Sequence, residues 1–167
     1  MKAIIPIQVL VAFITGLASL FILYRILNSF MRKRFGIQEA NNAFAIFQAG
    51  ILVSGSLILS SVMNAAMNAI HYLNQGDIDT SKLMMSVTYV LVFMGIGLVC
   101  SLLLILSGMY AFFQMTQINE WKEIKNDNIP TAVISTALIL GLSMIMDDYV
   151  GHLCEALIPY PEVMQIR

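Results

Sequence analysis

The sequence predicts an all-α membrane protein that crosses the bilayer four times, as two tandem helical hairpins. Three observations carry that expectation. Hydrophobic residues make up 59% of the 167 residues and charged residues only 11%, against about 25% charged in a soluble domain. With a mean hydropathy of +0.81, so apolar a surface needs lipid as its solvent. Four apolar runs are long enough to compare with the ~20 residues that span hydrocarbon. Two polar-to-apolar junctions also share an order of parts: Ile37-Gln38-Glu39-Ala40-Asn41-Asn42-Ala43-Phe44-Ala45 and Ile124-Lys125-Asn126-Asp127-Asn128-Ile129-Pro130-Thr131-Ala132. Aligning Asn41 with Asn128 pairs Ile37 with Ile124 and Ala45 with Ala132, the mark of an internal repeat with halves at about 1–73 and 83–158.

The first helix is expected over about 3–30. Pro6 falls in its first turn, where a missing N–H costs little, and the run is too long for a signal-peptide core and has no persuasive small-x-small cleavage site. A basic cluster, Arg32, Lys33 and Arg34, follows as a loop. The second and third helices are expected over about 43–73 and 83–114, joined by the turn-rich Asn74-Gln75-Gly76-Asp77-Ile78-Asp79-Thr80-Ser81. A polar loop from Glu120 leads into the fourth, over about 129–158. Its strictly apolar part ends at Met146; at ~1.5 Å per residue, Asp147 and Asp148 then reach the far interface rather than the bilayer centre. Gly97 and Ser101 in the third helix read as a small-x-x-x-small packing contact.

Orientation follows from lysine and arginine in short loops. Arg32, Lys33, Arg34, Lys122 and Lys125 lie on one side, and only Lys2, Lys82 and Arg167 on the other. The basic loops are therefore expected in the cytoplasm and both termini outside, which in a bacterium with two membranes means the periplasm. Trp121 and Tyr110 fall near the inner interface, and Tyr72, Tyr89, Tyr149 and Tyr160 near the outer one. A net charge of -1 argues against nucleic acid as a partner. Cys100 and Cys154 are too differently placed along their helices for an internal bridge, leaving packed thiols or a Cys154 pair across subunits. Twelve methionines scattered through the helices serve adaptable packing.

The segment Glu120-Trp121-Lys122-Glu123-Ile124-Lys125-Asn126-Asp127-Asn128 before a small-residue helix, and Asn41-Asn42-Ala43-Phe44-Ala45-Ile46-Phe47-Gln48-Ala49-Gly50, resemble the YjfL-like family of bacterial inner-membrane proteins, the domain of unknown function 350 family. That resemblance implies tandem two-helix units in an inner membrane and an accessory role in envelope homeostasis or stress response. It supplies no catalytic residues. The chain departs from the family's pattern in Pro130-Thr131, where alanines are usual, in a longer outer loop and in a tail past Asp147.

Candidate sites fall at the two helix ends and along two stripes. Asn41 and Asn128 read as N-caps, since an asparagine oxygen accepts from an orphan N–H. The functional reading adds Arg32, Lys33, Arg34, Trp121, Lys122 and Lys125 to make a cytoplasmic surface for a protein partner or lipid phosphate. A small and polar stripe runs along the second helix through Ala45, Ala49, Ser56, Ser60, Asn64, Asn68 and His71. The fourth helix has a matching one in Ala132, Thr136, Ser143 and Asp147, continued by Asp148, His152 and Glu155. Facing each other, the stripes read as a packing seam; lining water, they read as an ion path. His71, His152 and Glu155 are metal-ligand types at the same end, but no compact ligand motif joins them and no metal or other cofactor is expected. Asp147 and Asp148 form either a proton-coupling pair or an acidic end that fixes membrane depth. The sequence has no glycine-rich phosphate loop, nucleophile elbow or cytoplasmic catalytic domain. The expectation is a non-enzymatic, homo-oligomeric scaffold or anchor in the membrane, with a small ion or proton channel as the alternative.

Overall fold

In a computed structural model, which describes residues 4–36, 41–73, 80–116 and 118–158, the chain is all-helical. Its elements are α1 (Ile4–Phe35), α2 (Asn42–Leu73), α3 (Thr80–Met115), α4 (Glu120–Lys125) and α5 (Ile129–Glu155). Four of these are long and apolar enough to cross a membrane, over Leu10–Lys33, Asn42–His71, Met84–Met115 and Ile129–Glu155; the chain is a multi-pass membrane protein. Even α5, the shortest of the four at 27 residues, is ~40 Å long at 1.5 Å per residue. Hydrocarbon is ~30 Å thick, so all four tilt or project into the interfaces.

Two boundaries differ from the sequence reading. Arg32, Lys33 and Arg34 belong to the last turns of α1 and not to a loop; positive charge near a helix C-terminus favours helix over coil. The chain leaves α1 through Gly36 at φ +61, a left-handed conformation that closes a helix end without a Cβ penalty. The polar stretch from Glu120 is the short helix α4, capped by Asn119, whose Oδ1 accepts from Lys122 N at 3.2 Å. Trp121 and Ile124, three residues apart, turn toward the bundle and hold it there: Ile124 is fully buried and Trp121 meets Phe113 at 4.5 Å between ring centroids. Of the residues used to align the repeat, Ile37 lies outside the described residues, while Ala45 is exposed and Ala132 buried.

The second helix is the centre of the bundle. Half of its span is buried, against a third or less for the other three. Its most extensive packing is against α5, then α3, then α1. The core runs from Leu23, Leu27 and Met31 of α1 through Phe44, Phe47, Ile51 and Ile58 of α2 to Phe93, Ile105 and Met109 of α3. Lipid tails are as apolar as leucine, so what distinguishes one packed pairing from another is how closely backbones can approach. Gly50 sets that distance for α2 and α5. A Cβ there would lie 2.2 Å from Thr136 Cγ2 and 3.0 Å from its Cβ and Oγ1, and β-branched Thr136 has little rotamer freedom in a helix. Further along, Gly151 of α5 lies against Ser61, and Gly97 of α3 against Val62 and Leu59.

Gly50→Ala is therefore expected to force α2 and α5 apart and destabilise the fold by about 1–3 kcal/mol, as overpacking does. Thr136→Ala in the same chain removes two of the three clashing atoms and is expected to restore a large part of the loss. Thermal unfolding of the purified single and double variants in one detergent checks both. Equal losses with and without Thr136→Ala would show that Gly50 matters for some other reason.

Candidate functional site

The start of α2 and the junction between α4 and α5 meet at one end of the bundle and are tied to each other. Asn41 Oδ1 accepts from Phe44 N at 2.7 Å, capping its own helix, while Asn41 Nδ2 donates to the carbonyls of Ile124 and Lys125 at 2.9 and 3.0 Å. In return Asp127 Oδ1 accepts from Ala43 N at 2.8 Å, satisfying a second orphan donor of α2. Asp127 stands at φ +62, which Asp tolerates better than most residues because its short polar side chain bonds locally. Asn128 caps α5: its Oδ1 accepts from Thr131 N at 3.3 Å, and its Nδ2 donates to Glu123 Oε2 at 2.7 Å. Pro130 stands at the start of that helix, where no N–H is missed.

This geometry separates the residues of the expected cytoplasmic surface. Arg32, Lys33, Lys122 and Lys125 are exposed. Arg32 Nε donates to Asn28 Oδ1 at 3.0 Å, and Lys125 Nζ lies 3.6 Å from where a Cβ on Gly36 would be, so Lys125 of α4 adjoins the end of α1. The side chain of Arg34 is outside the described residues. Asn41 and Asn128 are not offered to a ligand, because both ends of each amide are engaged in holding the junction together. Trp121 is half-buried against Phe113 rather than displayed with the lysines.

The two polar stripes do not form the expected seam. Ala45, Ala49, Ser60, Asn64, Asn68 and His71 are exposed and Ser56 half-buried. The surface of α2 that meets α5 passes instead through Ile46, Gly50 and Ser61. The reason is geometric: each step of four residues overshoots a 3.6-residue turn by about 40°, so a stripe built mostly of fours winds around its helix. It comes round to α5 only at its outer end, where Asn68 Nδ2 donates to Glu155 Oε1 at 2.9 Å. In its middle, Ser56, Ser60 and Asn64 line a groove of about 230 Å³ with Ala12 and Gly16 of α1. On α5, Thr136 is half-buried with Oγ1 donating to Ile46 O at 3.5 Å, and Ser143 is buried with no partner for its Oγ.

The opposite end gathers the acids. Glu155 takes Asn68 on one oxygen and lies 3.3 Å from His152 Nδ1 with the other. Asp147 is half-buried, with Oδ1 accepting from Asp148 N at 2.8 Å, and Asp148 is exposed. His71 is exposed at the end of α2. Among the described residues no three His, Cys, Asp or Glu side chains converge as metal ligands. Cys154 is fully buried inside the chain, which removes it from any contact between subunits, and Cys100 is a second free thiol.

The sequence reading missed Glu120. It is 3% exposed, Thr116 Oγ1 donates to its Oε1, and its Oε2 has no partner among the described residues. The signal was the cap: Asn119 before Glu120, with Trp121 and Ile124 three apart, marks a turn of helix with one face turned inward.

A search of curated proteins returns no match, and neither does a search of solved structures. A family described as Domain of Unknown Function (DUF350) matches residues 2–147, which takes in α1 to α4 and most of α5 and stops at Asp147. With that match covering nearly the whole chain, the protein belongs to this family of unknown function.

Proposed function

We propose that this chain is a non-enzymatic scaffold of a bacterial inner membrane, assembled from several copies, whose cytoplasmic basic face recruits a soluble acidic protein or anionic lipid. The observation that carries the reading is the placement of exposed Arg32, Lys33, Lys122 and Lys125 at one end of the bundle, where Asn41 and Asp127 fasten the start of α2 to the junction that follows α4. Cations next to a membrane attract an anionic surface at about 1 kcal/mol each near the headgroups. By the positive-inside bias, that end is the cytoplasmic one and the termini are periplasmic. Assembly into several copies is supported by the face of half-buried Ser56 and exposed Ser60 and Asn64, since hydroxyls and amides in hydrocarbon are cheaper against a second helix than against lipid. A role in envelope homeostasis or stress response rests on the family resemblance.

The same face favours a second reading. Copies that place Ser56, Ser60 and Asn64 around a shared axis would enclose a polar path leading toward Asp147 and Asp148, as in a small ion or proton channel.

Reversing the four cations together, Arg32→Glu, Lys33→Glu, Lys122→Glu and Lys125→Glu, is expected to abolish copurification of the cytoplasmic partner from native membranes and to remove preference for anionic vesicles. Retention of both after reversal would dismiss the recruiting face. For the second reading, proteoliposomes are expected to pass ions at a rate altered by Asp147→Asn with Asp148→Asn; silence across pH and voltage leaves the channel without support.

A further inference from the structure

A cavity of about 560 Å³ opens where the ends of α1 and α3 meet α4, among Phe30, Met109, Tyr110, Phe113 and Trp121. Glu120 is set in its wall. Phe30 and Tyr110 are 44% and 68% exposed, so the cavity opens to the surface of the chain. The Glu120 carboxylate is fastened by Thr116 on one oxygen and has no partner among the described residues on the other, although the residue is only 3% exposed. A carboxylate out of water with half its acceptor capacity unused is costly unless a donor or cation completes it.

The surroundings select the chemistry of that donor. A magnesium or calcium ion needs six or more oxygens, and here one carboxylate and the polar side chains of Gln114, Thr116 and Asn119 share the wall with aromatic rings and a thioether. The space is that of an organic ligand rather than a bare ion. Aromatic faces attract ammonium groups, and the apolar flank at Met109 and Phe113 accommodates a hydrocarbon tail. We propose that this cavity binds a primary ammonium group carrying an apolar tail, its charge paired with Glu120 and its tail directed along α3. This site is independent of the basic face and takes a ligand of the opposite charge. An aminophospholipid headgroup and a free alkylamine both present this chemistry.

The chain has one tryptophan, and it stands in the cavity wall, so Trp121 emission reports occupancy. Full-length protein in phosphatidylglycerol nanodiscs is titrated with butylammonium, with butanol and sodium chloride as controls, and the titration is repeated in discs containing phosphatidylethanolamine. A saturable shift is expected with the amine alone. Loss of the Glu120 charge in Glu120→Gln is expected to weaken it roughly tenfold. If phosphatidylethanolamine itself produces the shift and blunts the response to butylammonium, the ligand is a lipid; if it does neither while the free amine titrates, the ligand is a soluble amine. Equal action by butanol, the absence of any saturable shift in both kinds of disc, or wild-type titration by Glu120→Gln would overturn the site. Should Glu120→Gln fail to fold, Tyr110→Leu on the exposed rim decides: roughly threefold weaker binding is expected, and unchanged binding overturns the proposal.

Discussion

The start of a helix leaves N–H groups unpaired, and at a membrane boundary water is an unreliable partner for them. The rest of this structure depends on how α2 meets that constraint. One donor is satisfied by Asn41 from its own chain and the other by Asp127 from the far side of the sequence, while the Asn41 amide reaches back to the carbonyls that end α4. The two polar junctions are thereby one unit. With the junction closed, α5 starts beside α2 and in the register that sets Thr136 over Gly50, and at the other end Asn68 meets Glu155.

From that arrangement the chemistry divides by position. The junction's own asparagines are consumed in holding it, so the groups left for partners are the exposed cations around it. The closing of α4 onto the ends of α1 and α3 is also what buries Glu120 and shapes the aromatic cavity. Along the bundle, α2 gives three sides to α1, α3 and α5 and keeps a fourth, lined with small and polar groups, uncovered within a single chain. A basic end, a buried acid in an aromatic recess and an uncovered polar helix face are thus consequences of one packing solution.

Much of the fold was legible because lipid imposes a simple rule: a helix must be long and apolar, and such runs stand out in the sequence. The caps were legible for a similar reason, since Asn before a small-residue run has a specific use. What was hidden depended on contacts between distant segments. Six residues of α4 are too few for a periodicity to show. The stripe through Ala45, Ser60 and Asn64 looked like one face in a list of fours and threes, but its rotation about the helix keeps those residues off the α5 side. The cap at Asn119 marks the turn that holds Glu120, but the helix ends that bury Glu120 and leave Glu123 half-buried come from distant segments. Asp127 in Asn126-Asp127-Asn128 was recognisable as a turn residue, but its bond to Ala43 was not.

The reciprocal junction is the central claim, and a double-mutant cycle in the full-length protein tests it most directly. Asn41→Ala removes one tie, and Asp127→Gly removes the other while preserving the left-handed backbone. Each alone is expected to cost about 0.5–2 kcal/mol of unfolding free energy, as lost caps do. If the ties act as one unit, the pair costs less than the sum by about 0.5 kcal/mol or more. Strict additivity, within about 0.3 kcal/mol, would mean that the two caps are separate conveniences and that something else holds the basic end together.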